Sequence, residues 1–322
     1  MCLFCITSNT YSSIWICSYE WIGSVVLNGE NVKKISSLLT EEESVFINPK
    51  RLAENKGKSF NGVKVYGNGF VITPQEAEEL ILKNRSNEIV LYPYITTKDV
   101  NGHPKHKASA WAIRFFDWPL DKETAPLDYK GYVAADFPDC LKIVEERVKP
   151  ERTRLNSKGQ YVVRKPMPQL WWIYGEKRPG LYSAISELKH VLVVGTQATK
   201  YVAFVILEKE MVFSHSLSVI ADDSFETFAL LNSSLHEVWA RQYAGYNLQL
   251  LRYSPSDLLE TFPFPRKTQK TKRLGEKYQK LRCELMTSLK AGITDVYNLF
   301  HSKEEQTEEI RAFRNLHIEV DQ

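Results

Sequence analysis

The sequence predicts a mixed α/β (α+β) fold, in which a domain built on a mixed sheet precedes an α-helical C-terminal segment. Strand-like and helix-like segments are interspersed without the regular alternation of strand and helix that accompanies a fully parallel sheet. After Pro265 the pattern changes, because apolar residues recur every three or four positions through a lysine-rich background. With 322 residues, of which 43% are hydrophobic and 25% charged, the chain has room for two or three structural units.

Alternation of bulky apolar side chains with others indicates the strands. The first such stretch is residues 14–27, and the Asn28-Gly29 that follows is typical of a tight turn between two strands. Further strands are predicted at 89–94, 110–116, 171–174, 190–195, 201–207 and 217–221. Gly67-Asn68-Gly69 predicts a turn, because no further glycine follows to complete a cofactor-binding loop.

Capping residues and apolar spacing indicate the helices. Thr73 and Pro74 suit an N-cap and the first position of a helix, and Ser224 can cap a second one. Helices are predicted at 138–148 and 225–242, then as a long amphipathic helix after Pro265, a break at 292–294, and a helix from about 303 to 320. Pro255 and the Phe-Pro-Phe-Pro run at 262–265 disfavour the continuation of a helix, so we expect a rigid crossing there.

The cysteines and the N-terminus indicate where the protein resides. Five cysteines are scattered, and the one close pair, Cys2 and Cys5, has no second pair at zinc-ligand spacing, so free thiols are expected. No run approaches the ~20 apolar residues of a membrane span, and the N-terminus lacks the basic start of a signal peptide. We therefore expect a cytoplasmic protein with no membrane partner and no metal site.

Positive charge is concentrated in residues 142–200 and 266–290, although the net charge of the chain is only +3. Clustered basic side chains bind DNA phosphates by displacing condensed counterions. The predicted phosphate-contacting residues are Lys149, Arg152, Arg154, Arg178 and Arg252. Solvated surface charge, or packing in the case of Arg252, would give the same sequence pattern.

The predicted base-contacting segment is the strand, loop and strand at 192–201, which follows the first basic segment. The candidate residues are Thr196, Gln197, Thr199 and Lys200. Gln197 suits the adenine edge and Lys200 the guanine edge in the major groove. A hairpin that faces solvent and touches no DNA would carry the same residues.

Catalytic patterns are not evident in the sequence. It contains neither the Asp/Asn-Pro-Pro-aromatic tetrapeptide nor the glycine-rich loop that an amine-directed DNA methyltransferase needs. The histidines are dispersed, and His236, on an apolar helix, is predicted to be a hydrogen-bonded packing residue. No catalytic residue is assigned, and the sequence favours binding over turnover.

Several segments, in collinear order, resemble the target recognition domain of MmeI-like type IIG restriction-modification enzymes, which are adenine-specific DNA methyltransferases. The segments are 60–77, 92–94 with Asp99, 148–152, Trp171-Trp172, 230–239, 252–265, 281–286 and 292–301. The resemblance covers about residues 14–322, and residues 252–265 match the signature that closes the family's domain.

The resemblance implies sequence-specific binding of double-stranded DNA, as the specificity portion of a longer enzyme. Residues 1–45 would then be the end of a methyltransferase domain, 46–265 the target recognition domain and 266–322 a truncated basic helical segment. S-adenosylmethionine and magnesium would be cofactors of the missing domains only, and the chain would not be an enzyme on its own. Two alternatives remain: a short-form methyltransferase, or an interaction remnant whose N-terminal strands bind a methyltransferase domain or subunit.

Overall fold

The computed structural model describes residues 25–27, 29–32, 49–197, 199–247 and 250–322. The chain divides into two compact units, residues 1–49 and 50–322. In the first unit, strands β1 (Val25–Leu27) and β2 (Glu30–Val32) form an antiparallel hairpin. The register pairs Leu27 with Glu30 across a two-residue turn, and Gly29 adopts the positive φ of 89° that such a turn needs. The predicted turn is confirmed, while residues 14–24 of the predicted strand lie outside the described residues.

The second unit contains the remaining described strands and helices. The strands are β3 Ser59–Asn61, β4 Val71–Ile72, β5 Leu91–Ile95, β6 Ala110–Ile113, β7 Val191–Gly195, β8 Val205–Leu207, β9 Val212–Phe213, β10 Leu217–Ile220, β11 Gly245–Asn247 and β12 Leu250–Arg252. The helices are α1 Pro74–Lys83, α2 Thr97–Gly102, α3 Pro138–Arg147, α4 Lys149–Thr153, α5 Pro179–Ile185, α6 Phe225–Leu231, α7 Ser234–Tyr243, α8 Pro255–Leu258, α9 Gln269–Leu289, α10 Ile293–His301 and α11 Glu308–Asp321. The predicted mixed α+β class is confirmed.

Two four-stranded sheets organise this unit. The first has the order β3-β10-β7-β8 and is antiparallel throughout. The second has the order β4-β6-β5-β9, with β5 and β9 parallel. Each sheet has its own apolar core, and the helices from α6 onward bury their apolar faces in the core of the first.

The long basic helix α9 packs closely on α6. A Cβ at Gly275 would lie 2.1 Å from the Phe225 carbonyl oxygen, so only glycine allows this approach. Further along α9, the guanidinium of Arg282 is fully buried, donates to the Phe204 carbonyl at 2.7 Å and lies 5.0 Å from the centre of the Phe228 ring. The helical segment therefore shares a core with the first sheet.

Asn232 explains two predictions that were wrong. The predicted helix at 225–242 is two helices, α6 and α7, because the Asn232 side chain accepts from the Phe204 amide at 3.0 Å and donates to the Phe228 carbonyl at 2.9 Å. Ser233 then caps α7. The same contact draws Phe204 away from sheet pairing, so the strand predicted at 201–207 covers only β8.

Two other predictions need correction. Residues 171–174 form turns instead of a strand, and all four side chains are buried in the second core. The strand predicted at 110–116 ends with β6, and Phe116 has a φ of +54° that a strand does not accommodate. Pro255 begins the short helix α8, since proline fits the first helical position, and residues 262–268 form no helix. The Thr73 and Ser224 caps and the buried, hydrogen-bonded His236 are confirmed.

Candidate DNA interface

A cavity of about 530 Å³ opens beside the edge strand β3, where several separate stretches of the second unit meet. Its lining residues are Ser59, Asn61, Lys64, Arg178, Thr196, Gln197, His215, residues 252–256 and Glu260. Three of these are cations and Glu260 is an anion, and most of the other residues supply hydroxyls, amides and an imidazole that can donate and accept hydrogen bonds. We call this surface the polar cleft.

The backbone between the two sheets shapes one wall of the polar cleft. The Val63 amide donates to the Phe213 carbonyl at 2.8 Å, and the His215 amide donates to the Val63 carbonyl at 2.9 Å. A Cβ at Gly62 would meet the Ser214 carbonyl oxygen at 2.1 Å, so glycine is required for this crossing. These contacts bring Lys64 and His215 to the same side of the unit.

Glu176 organises the basic residues around the polar cleft. Its carboxylate pairs with Arg178, lies 3.7 Å from the Lys64 ammonium and 3.5 Å from the Arg164 guanidinium. Arg178 adopts a left-handed conformation with a φ of +54°, and its Nε donates to the Gly62 carbonyl at 3.3 Å. One carboxylate therefore holds three cations in place, and the group keeps an excess of positive charge that favours polyanions.

The structure brings together four of the predicted DNA-contacting residues: Arg178, Thr196, Gln197 and Arg252 all line the polar cleft. Thr196 follows β7 directly, is 7% exposed, and its amide donates to the Ser216 carbonyl at 2.9 Å. Gln197 is exposed beside it, and Arg252 is exposed at the end of β12. Among these four, Gln197 and Arg252 are the most accessible to a ligand.

Two predicted base-contacting residues lie elsewhere. The prediction for Thr199 is wrong, because its side chain is buried and its hydroxyl donates to the Tyr201 carbonyl at 2.5 Å. The Lys200 ammonium donates to Asn298 on α10 at 2.7 Å and lies 5.0 Å from the centre of the Tyr201 ring, outside the polar cleft. Periodicity alone could not reveal that α10 holds this lysine.

The basic segment that follows α3 does not line the polar cleft. The predicted phosphate contact of Arg152 is wrong, since its side chain is 1% exposed and donates to backbone carbonyls inside the second core. Lys149 pairs with Glu145 at 2.7 Å and lies 4.8 Å from the centre of the Trp171 ring. Arg154 is exposed at the start of a turn that ends at residue 162, and its role stays a prediction.

Sequence reasoning missed Lys64 and His215. Both line the polar cleft and also a neighbouring hollow of about 730 Å³, which extends along Tyr66 and Asn68. Burial, and then the Lys64 charge, lower the pKa of His215, while Glu176 opposes them. His215 is therefore neutral at pH 7 and can both donate and accept. Their only sequence signal is the glycine at position 62, which marks a close backbone approach.

A cationic, polar cleft at the edge of a sheet favours the binding of a polyanion. Residues 175–266 match the family model of the MmeI target recognition domain. This region of the chain is therefore similar to an MmeI target recognition domain, and it includes Arg178, Thr196, Gln197, His215 and Arg252 of the polar cleft.

Two solved structures match this chain, and the fold is similar to that of the first. One is the type IIL restriction-modification enzyme MmeI in complex with DNA, with a TM-score of 0.62 and 13% identity over 93% of this chain. This chain spans 36% of that MmeI chain. The other is the type IIG restriction endonuclease BpuSI, with a TM-score of 0.39, 12% identity, and coverage of 85% of this chain and 31% of that chain. No curated protein matches the sequence.

Two further observations concern only the part of the chain that the structure describes. None of its helices is both long enough and apolar enough to cross a membrane. Within the same residues, no group of three or more His, Cys, Asp and Glu side chains could hold a metal ion.

Proposed function

We propose that this chain binds double-stranded DNA sequence-specifically through the polar cleft, as the specificity portion of an MmeI-like restriction-modification enzyme. The observation that carries the proposal is the convergence of Arg178, Gln197 and Arg252 in one cleft inside the matched target recognition domain. Arginine suits phosphates and guanine edges, and glutamine suits adenine edges. Lys64 and the neutral His215 add one more cation and one group that can accept as well as donate.

Phosphate contacts make the affinity fall as salt rises. We expect the logarithm of the association constant to decrease linearly with the logarithm of salt concentration, with a slope near −0.9 per phosphate contact. Arg252→Gln should reduce the magnitude of that slope by about 1 and weaken all duplexes to a similar extent. Fluorescence anisotropy with a labelled duplex at several salt concentrations measures both quantities.

The matched control is Lys280→Gln, which removes the same charge from an exposed position on α9 outside the polar cleft. We expect this variant to keep the slope of the native protein. An equal reduction in Lys280→Gln and Arg252→Gln would assign the binding to net charge and reject the polar cleft as the interface.

Gln197→Ala is expected to relax sequence discrimination. A duplex selected from a randomised pool by the native protein should lose about 1–3 kcal/mol of preference over its variant at one base pair. Binding to unrelated duplexes should stay unchanged, because Gln197 carries no charge. Lys200→Ala, which alters the same loop outside the polar cleft, provides the comparison. If Lys200→Ala relaxes discrimination and Gln197→Ala does not, the interface lies beside α10 instead.

We further propose that the chain acts as a non-catalytic module, and that S-adenosylmethionine and magnesium serve other domains of such an enzyme. The sequence lacks the tetrapeptide that holds a flipped adenine, which supports this assignment. Incubation with duplex DNA and labelled S-adenosylmethionine should transfer no methyl group. Transfer by the purified chain would favour the short-form methyltransferase.

A further inference from the structure

A second cavity in this unit is built around the guanidinium of Arg114, directly after β6. Its central carbon lies 3.6 Å from the centre of the Tyr182 ring, 4.4 Å from that of Phe116 and 5.8 Å from that of Tyr92. Aromatic faces attract a cation but accept few of its hydrogen bonds. The aromatic neighbours therefore fix the position of Arg114. Its planar array of N–H donors stays suited to a hydrogen-bond acceptor.

The cavity beside Arg114 has a volume of about 190 Å³ and is lined by Phe116, Asp117, Tyr174, Lys177 and Tyr182 in addition. Tyr174 is 6% exposed, yet among the described residues its hydroxyl has no hydrogen-bond partner. A buried hydroxyl without a partner is costly, which points to a group that completes the site. Burial, with a smaller effect from Tyr182, raises the pKa of Tyr174 well above its ordinary value, so the hydroxyl keeps its hydrogen to donate.

The rim of the cavity carries charged side chains and adjoins a second hollow. Lys177 pairs with Asp117 there, and both side chains are partly exposed. A second hollow of about 370 Å³ shares Phe116 and Asp117 with the cavity and extends along Trp118. Pockets that enclose a whole small ligand usually measure about 300–1,000 Å³. The inner cavity thus suits a single planar ring system, and the outer hollow suits the rest of the same molecule.

We propose that this cavity binds a single guanine nucleotide, with its base on Phe116, its acceptor edge at Arg114 and Tyr174, and its phosphate at Lys177. Guanine presents two adjacent acceptors, O6 and N7, to an arginine fork. Aromatic rings supply the stacking surface that proteins use for unpaired bases. The source is either a free mononucleotide or an unpaired nucleotide of bound DNA, because both present the same chemistry. The proposal does not depend on the polar cleft.

Isothermal titration calorimetry with the full chain tests the proposal. The probes are guanosine monophosphate, adenosine monophosphate, a paired duplex and the same duplex with one unpaired guanine. We expect saturable binding of guanosine monophosphate, weaker binding of adenosine monophosphate, and about fivefold to tenfold weaker affinity in Tyr174→Phe. Thermal stability of Tyr174→Phe should not fall, since the change removes only the orphaned hydroxyl. Tyr161→Phe, at an exposed tyrosine, should bind as the native protein does.

The outcomes are distinct. A preference for the unpaired guanine over the paired duplex identifies DNA as the source, and equal affinity for both duplexes with retained mononucleotide binding identifies the free nucleotide. The proposal is overturned if neither guanosine monophosphate nor the unpaired guanine binds, or if Tyr174→Phe binds them as tightly as the native protein. Tyr174→Phe should leave the salt-dependent duplex binding of the polar cleft unchanged, so the two proposals can fail separately.

Discussion

Replacement of Arg152 by methionine is expected to lower the free energy of unfolding by about 3–5 kcal/mol, because each buried carbonyl left without a donor costs about 1–3 kcal/mol. The buried guanidinium donates to five backbone carbonyls, and the closest contacts are 2.5 and 2.6 Å. These carbonyls belong to Val65, Tyr66, Leu170, Trp171 and Ile173. Methionine fills similar space but provides no donor, so the carbonyls would lose their partners in an apolar core.

Urea denaturation of the native protein and the variant measures this loss. Arg154→Met is the matched control, because it makes the same change two residues away at an exposed position and should alter the free energy of unfolding by less than about 0.5 kcal/mol. Arg152→Lys should fall between the two, since one ammonium cannot reach all five carbonyls. If Arg152→Met were as stable as the native protein and only bound DNA less tightly, the original phosphate prediction would be restored.

Arg152 shows which part of the structure a sequence can predict. Its neighbours on the chain are polar and basic, and locally it looks like its exposed neighbour Arg154. Tertiary contacts distinguish Arg152 from Arg154. The turns at 171–174 expose carbonyls toward Arg152, and only the folded core places these carbonyls there. Local signals such as the Thr73 cap and the tight turn before Glu30 were predictable, because a few adjacent residues determine them.

The residues of the polar cleft likewise include some that the sequence predicts and some that it does not. Arg178, Thr196, Gln197 and Arg252 were identified from residue type and from their place near predicted strands. Lys64 and His215 were not, since they meet through backbone contacts between chain positions about 150 residues apart, at Val63 and Ser214. Asn232 is the corresponding case in the fold, where one side chain ends a helix and binds the residue just before a strand, although both elements looked longer in sequence.

Acidification is expected to destabilise the fold already at pH values well above those at which carboxylates titrate. His236 is fully buried, its Nε2 lies 3.0 Å from the Tyr253 hydroxyl, and burial lowers its pKa to about 3. His106 is 6% exposed, and its pKa is lowered to about 4, mainly by burial and then by the charge of Arg282. Both are neutral in the folded protein at pH 5, whereas an unfolded histidine takes up a proton near pH 6.5.

The direction of this change in stability with pH follows from proton uptake. Between pH 6.5 and about 4 the unfolded chain binds more protons than the folded one, so the stability present at pH 7 is lost as the pH falls. Each proton contributes about 1.4 kcal/mol per pH unit, which gives a loss of about 3–4 kcal/mol from the two histidines between pH 7 and 5. Burial also lowers the pKa values of His215, His301 and His317, which act in the same direction.

His106→Asn isolates one of these contributions. The Nδ1 atom of His106 lies 2.7 Å from the Val100 carbonyl oxygen, and an asparagine amide can donate to the same oxygen without taking up a proton. Urea denaturation at pH 7, 6 and 5 should therefore show a pH slope shallower by up to about 1.4 kcal/mol per unit in this variant. An unchanged slope in His106→Asn would mean that His106 takes up its proton at the same pH in the folded and the unfolded protein, which its burial and the nearby charge of Arg282 oppose.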